Sequence, residues 1–343
     1  MLVDFRSKAF IIIAAATLFS VAALLILFPF GVAPEATRID VPTILTAVPN
    51  TYRPEKTSFA VTLKGLDVPY RVIGLFVMPG ETVDVTAVFP ITGRTADLSV
   101  PAGTVGNPVP DQWQWTAPRQ VGWYPLTVTD AQSGEAIRIN AFVMVPYDPA
   151  TQSVEGFRVG RYQARLRNNN PIFARPKGFI KVTDETRDVL VSPHFTIGQF
   201  TSKQTATYPK YLVLNEKLLL KLELLLQKAN EAGIHTNSFH VMSGYRTPHY
   251  NALIGNDTEY SLHLYGAAAD IFVDRDENGY MDDLNGDGDV TTEDARVLAA
   301  IVEKTADDPA FQALRGGLGV YSPAPPRRGP FIHVDVRGQV VRW

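Results

Sequence analysis

Within residues 261–271, SLHLYGAAADI, a histidine, His263, precedes an aspartate, Asp270, by seven positions in a run otherwise poor in polar groups. Two metal-capable side chains in such a run are either half of a metal site or a buried strand carrying a histidine and an aspartate by chance. The six histidines are His194, His235, His240, His249, His263 and His333. A zinc site that keeps one position open for water needs three protein ligands, commonly histidine and carboxylate. Residues 267–273, AAADIFV, read as a strand with Ala268, Asp270 and Phe272 on one face. Residues 331–338, FIHVDVRG, alternate in the same way and place His333, Asp335 and Arg337 together. If these strands are neighbours, His333 completes a His–Asp–His site with His263 and Asp270. The alanines and Gly266 would let the backbones approach closely.

A second pattern lies between those ligands, in an insertion at residues 274–298. From Asp283 the chain reads DLNGDGDVTTED, close to a twelve-residue calcium loop with its glycine, Gly288, at position 6. The calcium ligands would be Asp283, Asn285, Asp287, the Asp289 carbonyl, Thr291 and Asp294. Asp274, Asp276, Asn278 and Asp282 form an earlier half-match with Gly279 at its turn. Hard carboxylate oxygens at this density suit Ca²⁺ and not zinc. The bland alternative is a solvated acidic loop.

These residues need a scaffold, and 343 residues with 45% hydrophobic content allow two domains plus extras. The net charge of −3 argues against nucleic-acid binding through a basic surface. The absence of cysteine excludes disulfides, thiolate zinc sites and cysteine nucleophiles. Residues 9–28 are 20 consecutive uncharged positions, enough for a transmembrane helix. Arg6 and Lys8 precede them and favour a cytoplasmic N-terminus. The expected layout is a membrane anchor at 1–30, a linker at 31–54, an all-β immunoglobulin-like sandwich at 55–147, a connector at 148–154 and an α+β domain at 155–343. In the sandwich, Tyr124 is expected in the core. Trp113, Trp115 and Trp123 are expected to pack between sheets, with a ligand platform as the alternative. Residues 214–233 predict a helix with Asn215 as its N-cap and Gly233 as its stop.

Four blocks occur in order: SGYRTPHYN (243–251), SLHLYGAAADI (261–271), GGLGVY (316–321) and FIHVDVRG (331–338). Together they resemble the zinc D-Ala-D-Ala carboxypeptidase and murein endopeptidase family, in its periplasmic cell-wall peptidase branch, and SPHFTIGQF (192–200) resembles that family's opening segment. The resemblance covers about residues 155–343. It implies a Hedgehog-like zinc peptidase fold, zinc on His263, Asp270 and His333, and a substrate- or transition-state-binding arginine at Arg246. A salt bridge that pins the loop is the alternative for Arg246. Zinc would activate a water and polarise the scissile carbonyl. Several family members carry Glu or Asp three residues before the last histidine ligand, where this chain has Pro330. Asp335 then either accepts the water's proton or orients a ligand. Ser261 and Tyr321 are candidate substrate contacts.

The leading expectation is therefore a zinc metallopeptidase cutting peptidoglycan stem peptides or cross-links. It would be anchored once in the inner membrane with its C-terminal domains in the periplasm. The β-domain would serve as spacer or bind wall or protein. A catalytically silent wall-binding or scaffold protein that retains the fold, and a calcium-dependent adhesion module, are the competing readings.

Overall fold

The computed structural model describes residues 51–306 and 308–343, all within one compact unit. Its first half is built from nine strands: β1 (Lys56–Leu63), β2 (Leu66–Tyr70), β3 (Val72–Val77), β4 (Thr82–Val88), β5 (Ala96–Ser99), β6 (Thr104–Val109), β7 (Gln112–Thr116), β8 (Gly122–Asp130) and β9 (Ala136–Val143). The alternating residues of β1 and β4 bury every second side chain, as a half-solvated strand requires. They form a five-stranded sheet in the order β2-β1-β4-β7-β6, faced by a four-stranded sheet in the order β3-β9-β8-β5. Trp115 is fully buried and its indole donates to the Ala102 carbonyl at 3.0 Å. Trp123 lies at the surface, hydrogen-bonded to Asn140 at 3.1 Å. Trp113 and Tyr124 are half-buried against the core, so the tryptophans form no single platform and Tyr124 is not fully interior.

The chain continues through β10 (Val145–Pro146), a two-stranded pair β11 (Ser153–Val154) and β12 (Phe157–Arg158), β13 (Gly178–Val182), a pair β14 (Leu190–Ser192) and β15 (Phe195–Thr196), and β16 (Lys210–Leu212). β10 pairs with β13, so backbone hydrogen bonds link the first half of the chain to the second. The Asn140 amide reaches the Leu190 carbonyl at 2.7 Å, and Glu216 accepts from the Phe76 amide and from Lys64. Helix α1 (Glu216–Glu231) follows. Asn215 caps it by accepting from the Lys217 amide, as the sequence predicts, and its leucines are buried.

The last part contains β17 (His240–Ser243), α2 (Pro248–Leu253), β18 (Ala268–Phe272), α3 (Thr292–Thr305), α4 (Pro309–Gln312), β19 (Gly317–Tyr321), β20 (Phe331–Asp335) and β21 (Val341–Arg342). Its sheet has the order β17-β18-β20-β19-β21, with α3 packed on β19 and β20 and against α1.

The expected architecture of an immunoglobulin-like sandwich followed by an α+β peptidase-like domain is corrected by this structure. The described residues are mostly β-sheet with few helices, and only α1 and α3 exceed two turns. An immunoglobulin-like sandwich has two antiparallel sheets, whereas β3 runs parallel to β9 along its whole length. The leucine-rich α1 overstated the helical share of the second half, where short apolar runs broken by glycine and proline form strands or loops instead. No helix among the described residues is long and apolar enough to cross a membrane, and the expected anchor at residues 9–28 lies outside them.

The burial of Trp115 and exposure of Trp123 predict opposite responses to truncation. Trp115→Ala is expected to destabilise by about 3–5 kcal/mol, and Trp123→Ala by no more than about 1 kcal/mol, read from urea unfolding midpoints.

Candidate metal centre

The centre is set by strand register. β18 and β20 are antiparallel neighbours, and Asp270 pairs directly with His333. Directly opposed residues project on the same face, so the two side chains meet. His263 arrives from the preceding 3₁₀ turn, Leu262–Tyr265. That turn is closed by Gly266 in a left-handed conformation, φ 62°, where an added Cβ would fall 2.1 Å from the Val213 carbonyl oxygen. Only glycine fits there. Ala267, Ala268 and Ala269 are fully buried and complete the close packing expected from the sequence.

Three donor atoms converge. His263 Nε2 is 3.2 Å from His333 Nδ1 and 3.2 Å from Asp270 Oδ1, and His333 Nδ1 is 2.9 Å from Asp270 Oδ1. Ligand atoms around a tetrahedral zinc lie about 3.3 Å apart when each is about 2.0–2.1 Å from the metal. All three side chains are buried. Two nitrogens and a carboxylate oxygen at this spacing fit a zinc-type ion.

The outward-facing ring atoms are also held. His263 Nδ1 donates to the Gly244 carbonyl at 2.7 Å, which leaves the Nε2 lone pair facing the other donors. His333 Nε2 faces Asp335 Oδ2 at 3.3 Å, leaving Nδ1 on the Asp270 side. Asp335 therefore lies behind the His333 ring, away from Asp270 and His263. Its carboxylate accepts from the Gly317 amide at 2.8 Å, the Arg337 amide at 3.0 Å and the Arg337 guanidinium. An added Cβ at Gly316 would sit 1.8 Å from the Asp335 carbonyl oxygen, which explains a residue without a side chain there.

Burial pushes His263 below its ordinary pKa and favours the neutral ring a metal needs. For Asp270, burial acts to raise the pKa, but His263 and His333 outweigh it and hold the carboxyl well below the usual range. Burial likewise opposes the charge on His333, but its bonds to Asp270 and Asp335 prevail and raise its pKa.

Arg246 bonds to Asp270 Oδ2 through its terminal nitrogen and to Ser243 Oγ at 2.7 Å through Nε. It thus pins its loop to a metal ligand while lining the same cleft. That cleft, of about 790 Å³, is lined by Arg246, Ser261, His263, Asp270, Tyr321 and His333, so these expected site residues come together. It is also bordered by Arg167, Arg328, Arg337 and Trp343, which the sequence reading did not assign to a site. Trp343 sits 5.2 Å from the His333 ring, centroid to centroid, and donates from its indole to the Tyr321 hydroxyl at 2.7 Å. Its clue in the sequence was the pair of small residues Gly317 and Gly319, whose missing side chains make room for the indole.

The other histidines stand apart from the cleft. His194 pairs with the buried Glu223 at 2.7 Å, and His240 stacks on Phe272 beside Asp274. In the expected calcium loop, Asp283 accepts from the Gly286 and Gly288 amides, and Asn285 and Asp287 bond within the turn. The Asp289 amide donates to Asp287. Thr291 caps α3, and Asp294 is fully buried, accepting from the amides of Leu284, Asn285 and Thr291. The acidic side chains that converge at metal-ligand spacing are instead those of the earlier half-match, Asp274, Asp276 and Asp282.

Beneath the centre, Lys221 of α1 is buried and donates to the Asp335 backbone carbonyl at 2.6 Å. Burial pushes its pKa down to about 8.

No family model, no curated protein and no solved structure matches this chain.

Two measurements follow from this geometry. Asp335→Asn is expected to keep the fold but weaken metal binding at this group about 10–100-fold, and Asp270→Ala to abolish it, both read with zinc as the probe ion by competition with a chromogenic chelator. The Lys221 pKa lies below its unfolded value of 10.5, so the buried charge opposes folding in full below pH about 8. That penalty fades as pH rises toward 10.5. Wild type is therefore expected to gain about 3 kcal/mol relative to Lys221→Met across that window, read from denaturant unfolding at each pH.

Proposed function

We propose that the protein is a zinc metallopeptidase that hydrolyses peptide bonds in peptidoglycan stem peptides or cross-links, at the side of the membrane where the wall lies. The observation that carries this reading is the convergence of His263 Nε2, Asp270 Oδ1 and His333 Nδ1 on one face of a cleft wide enough for a peptide. The four sequence blocks that resemble zinc cell-wall peptidases supply its substrate class.

When bound, zinc would supply Lewis acidity, polarising the scissile carbonyl and lowering the pKa of an attacking water. His263 and His333 would present neutral nitrogens to it, and Asp270 an anionic oxygen. To hold the ion, His333 would need Nδ1, which faces Asp270, free of a proton, with the ring's remaining proton on Nε2 toward Asp335. Arg246, already fixed by Ser243 and Asp270, places a guanidinium beside the reacting centre. There it can stabilise a developing oxyanion or hold a substrate carboxylate. Ser261 and Tyr321 line the cleft and would contact the peptide there. Asp335 acts in this reading as a positioning residue for His333, because its carboxylate is committed to Arg337, the Gly317 amide and the far edge of the ring. A calcium ion on the acidic insertion at 274–298 is a structural part of the proposal.

One observation favours the competing reading of a catalytically silent wall-binding protein. Among the described residues lining the cleft, Asp270 is the one acidic side chain, so no second side-chain carboxylate stands ready to take a proton there. A single experiment separates the readings. Chelator-stripped protein is incubated with purified sacculi, with zinc alone or calcium alone restored, and the released fragments are weighed by mass spectrometry. The peptidase reading predicts peptide-bond cleavage restored by zinc, not by calcium, and lost in His263→Ala. Sacculus binding without cleavage in zinc-loaded protein supports the silent reading. Binding restored by calcium alone supports adhesion.

A further inference from the structure

The cleft beside the metal centre carries four arginines, Arg167, Arg246, Arg328 and Arg337, against the single acidic side chain of Asp270. Two of them are already neutralised in place: Arg246 by Asp270 and Arg337 by Asp335. Arg328 differs. It is half-buried, yet among the described residues it pairs with no carboxylate, and its side-chain hydrogen bond goes from Nη1 to the Ser322 carbonyl at 2.6 Å.

Its guanidinium is nevertheless fixed in position. It lies 4.8 Å from the centroid of the Phe331 ring and 5.8 Å from that of Tyr321. Those two rings stack on each other at 4.6 Å with an interplanar angle of 2°. The backbone beneath it is a tight turn: the Ala324 amide donates to the Arg328 carbonyl and the Arg327 amide to the Ala324 carbonyl, both at 2.9 Å. Phe331 neighbours a ligand-bearing strand position, two residues before His333, and Tyr321 is joined to Trp343, which packs on the His333 ring.

An aromatic pair thus runs from the metal ligand to a guanidinium packed beside both rings. A guanidinium confined by the two rings and the Ser322 carbonyl loses little freedom on binding and presents its remaining N–H groups as a planar fork matched to a carboxylate. A positive group that is held in place but has no anion of its own is suited to an anion that arrives with the ligand.

We propose that Arg328 is a specificity-determining residue that binds a free carboxylate of the substrate, so that the site selects anionic peptides over the same peptides amidated at that carboxylate. This rests on the peptidase reading for the kind of ligand, but it is tested by binding as well as by cleavage.

The experiment uses the full-length, zinc-loaded protein and two purified muropeptides that differ only in whether the stem-peptide carboxylates are free or amidated. Affinities are measured by titration calorimetry, and hydrolysis of the same peptides is followed in parallel. Wild type is expected to bind the free-carboxylate peptide at least about tenfold tighter than the amidated one. Arg328→Gln should bring the two affinities to within about twofold, with zinc content unchanged, and Arg328→Lys should retain part of the preference as a point charge without the fork. The proposal is overturned if wild type binds neither peptide or does not distinguish them. It is overturned equally if Arg328→Gln, or a folded Arg328→Lys, keeps the whole preference. Preferential binding without hydrolysis would instead sink the peptidase reading and leave the role of Arg328 standing.

Discussion

Everything at the candidate centre depends on one backbone constraint, the antiparallel pairing that sets Asp270 opposite His333. A slip of one residue would turn every side chain of that strand to the other face. Asp270 would then point away from His333, and the three-atom cluster would not form. The register is held from both sides. β18 is flanked by β17 and β20, and β20 by β18 and β19, so neither ligand strand lies at an edge. The apolar residues Ile271, Ile332 and Val334 are fully buried and lock the alternation.

A buried His–Asp–His group needs compensation, because unpaired polar atoms in a low-dielectric interior are expensive. Here each donor has a second partner. Gly244 takes the far nitrogen of His263, Asp335 faces the far nitrogen of His333, and Arg246 takes the second oxygen of Asp270. Asp335 is in turn held by Arg337 and by the Gly317 amide, while its backbone is held by Lys221. This outer layer fixes which ring nitrogens face one another, and so fixes the donor set presented to a metal. The glycines at 266 and 316 and the three buried alanines of 267–269 are the steric counterpart of the same arrangement: a side chain at 266 would collide with the Val213 and Leu214 backbone, and one at 316 with that of Asp335.

The local pattern was legible in the sequence to different depths. Strand alternation placed Asp270 on one face of β18 and His333 with Asp335 on one face of β20, and the α1 cap at Asn215 could be read from residue type. The role of Asp335 could not, because sharing a strand face with His333 does not say which side of the imidazole it meets. Arg167, Arg328 and Trp343 of the cleft were also hidden. Arg328 lies in a proline-rich turn and Trp343 at the far end of the sheet, and only long-range packing brings them to the ligands. The wider architecture was misjudged because a leucine-rich helix dominates a single-sequence reading, while the short strands around it are weak signals. The parallel pairing of β3 with β9 joins segments more than sixty residues apart, which no local pattern reveals.

The central proposal is that the metal-capable group of His263, Asp270 and His333 binds one zinc ion, and the most direct test is anomalous diffraction at the zinc edge from crystals of the zinc-loaded protein. The account predicts one strong peak per chain, about 2.0–2.1 Å from His263 Nε2, Asp270 Oδ1 and His333 Nδ1, with Asp335 behind His333 and outside the coordination sphere. A chain that takes up no zinc at this position, or a peak centred on the acidic insertion at 274–298, would contradict it.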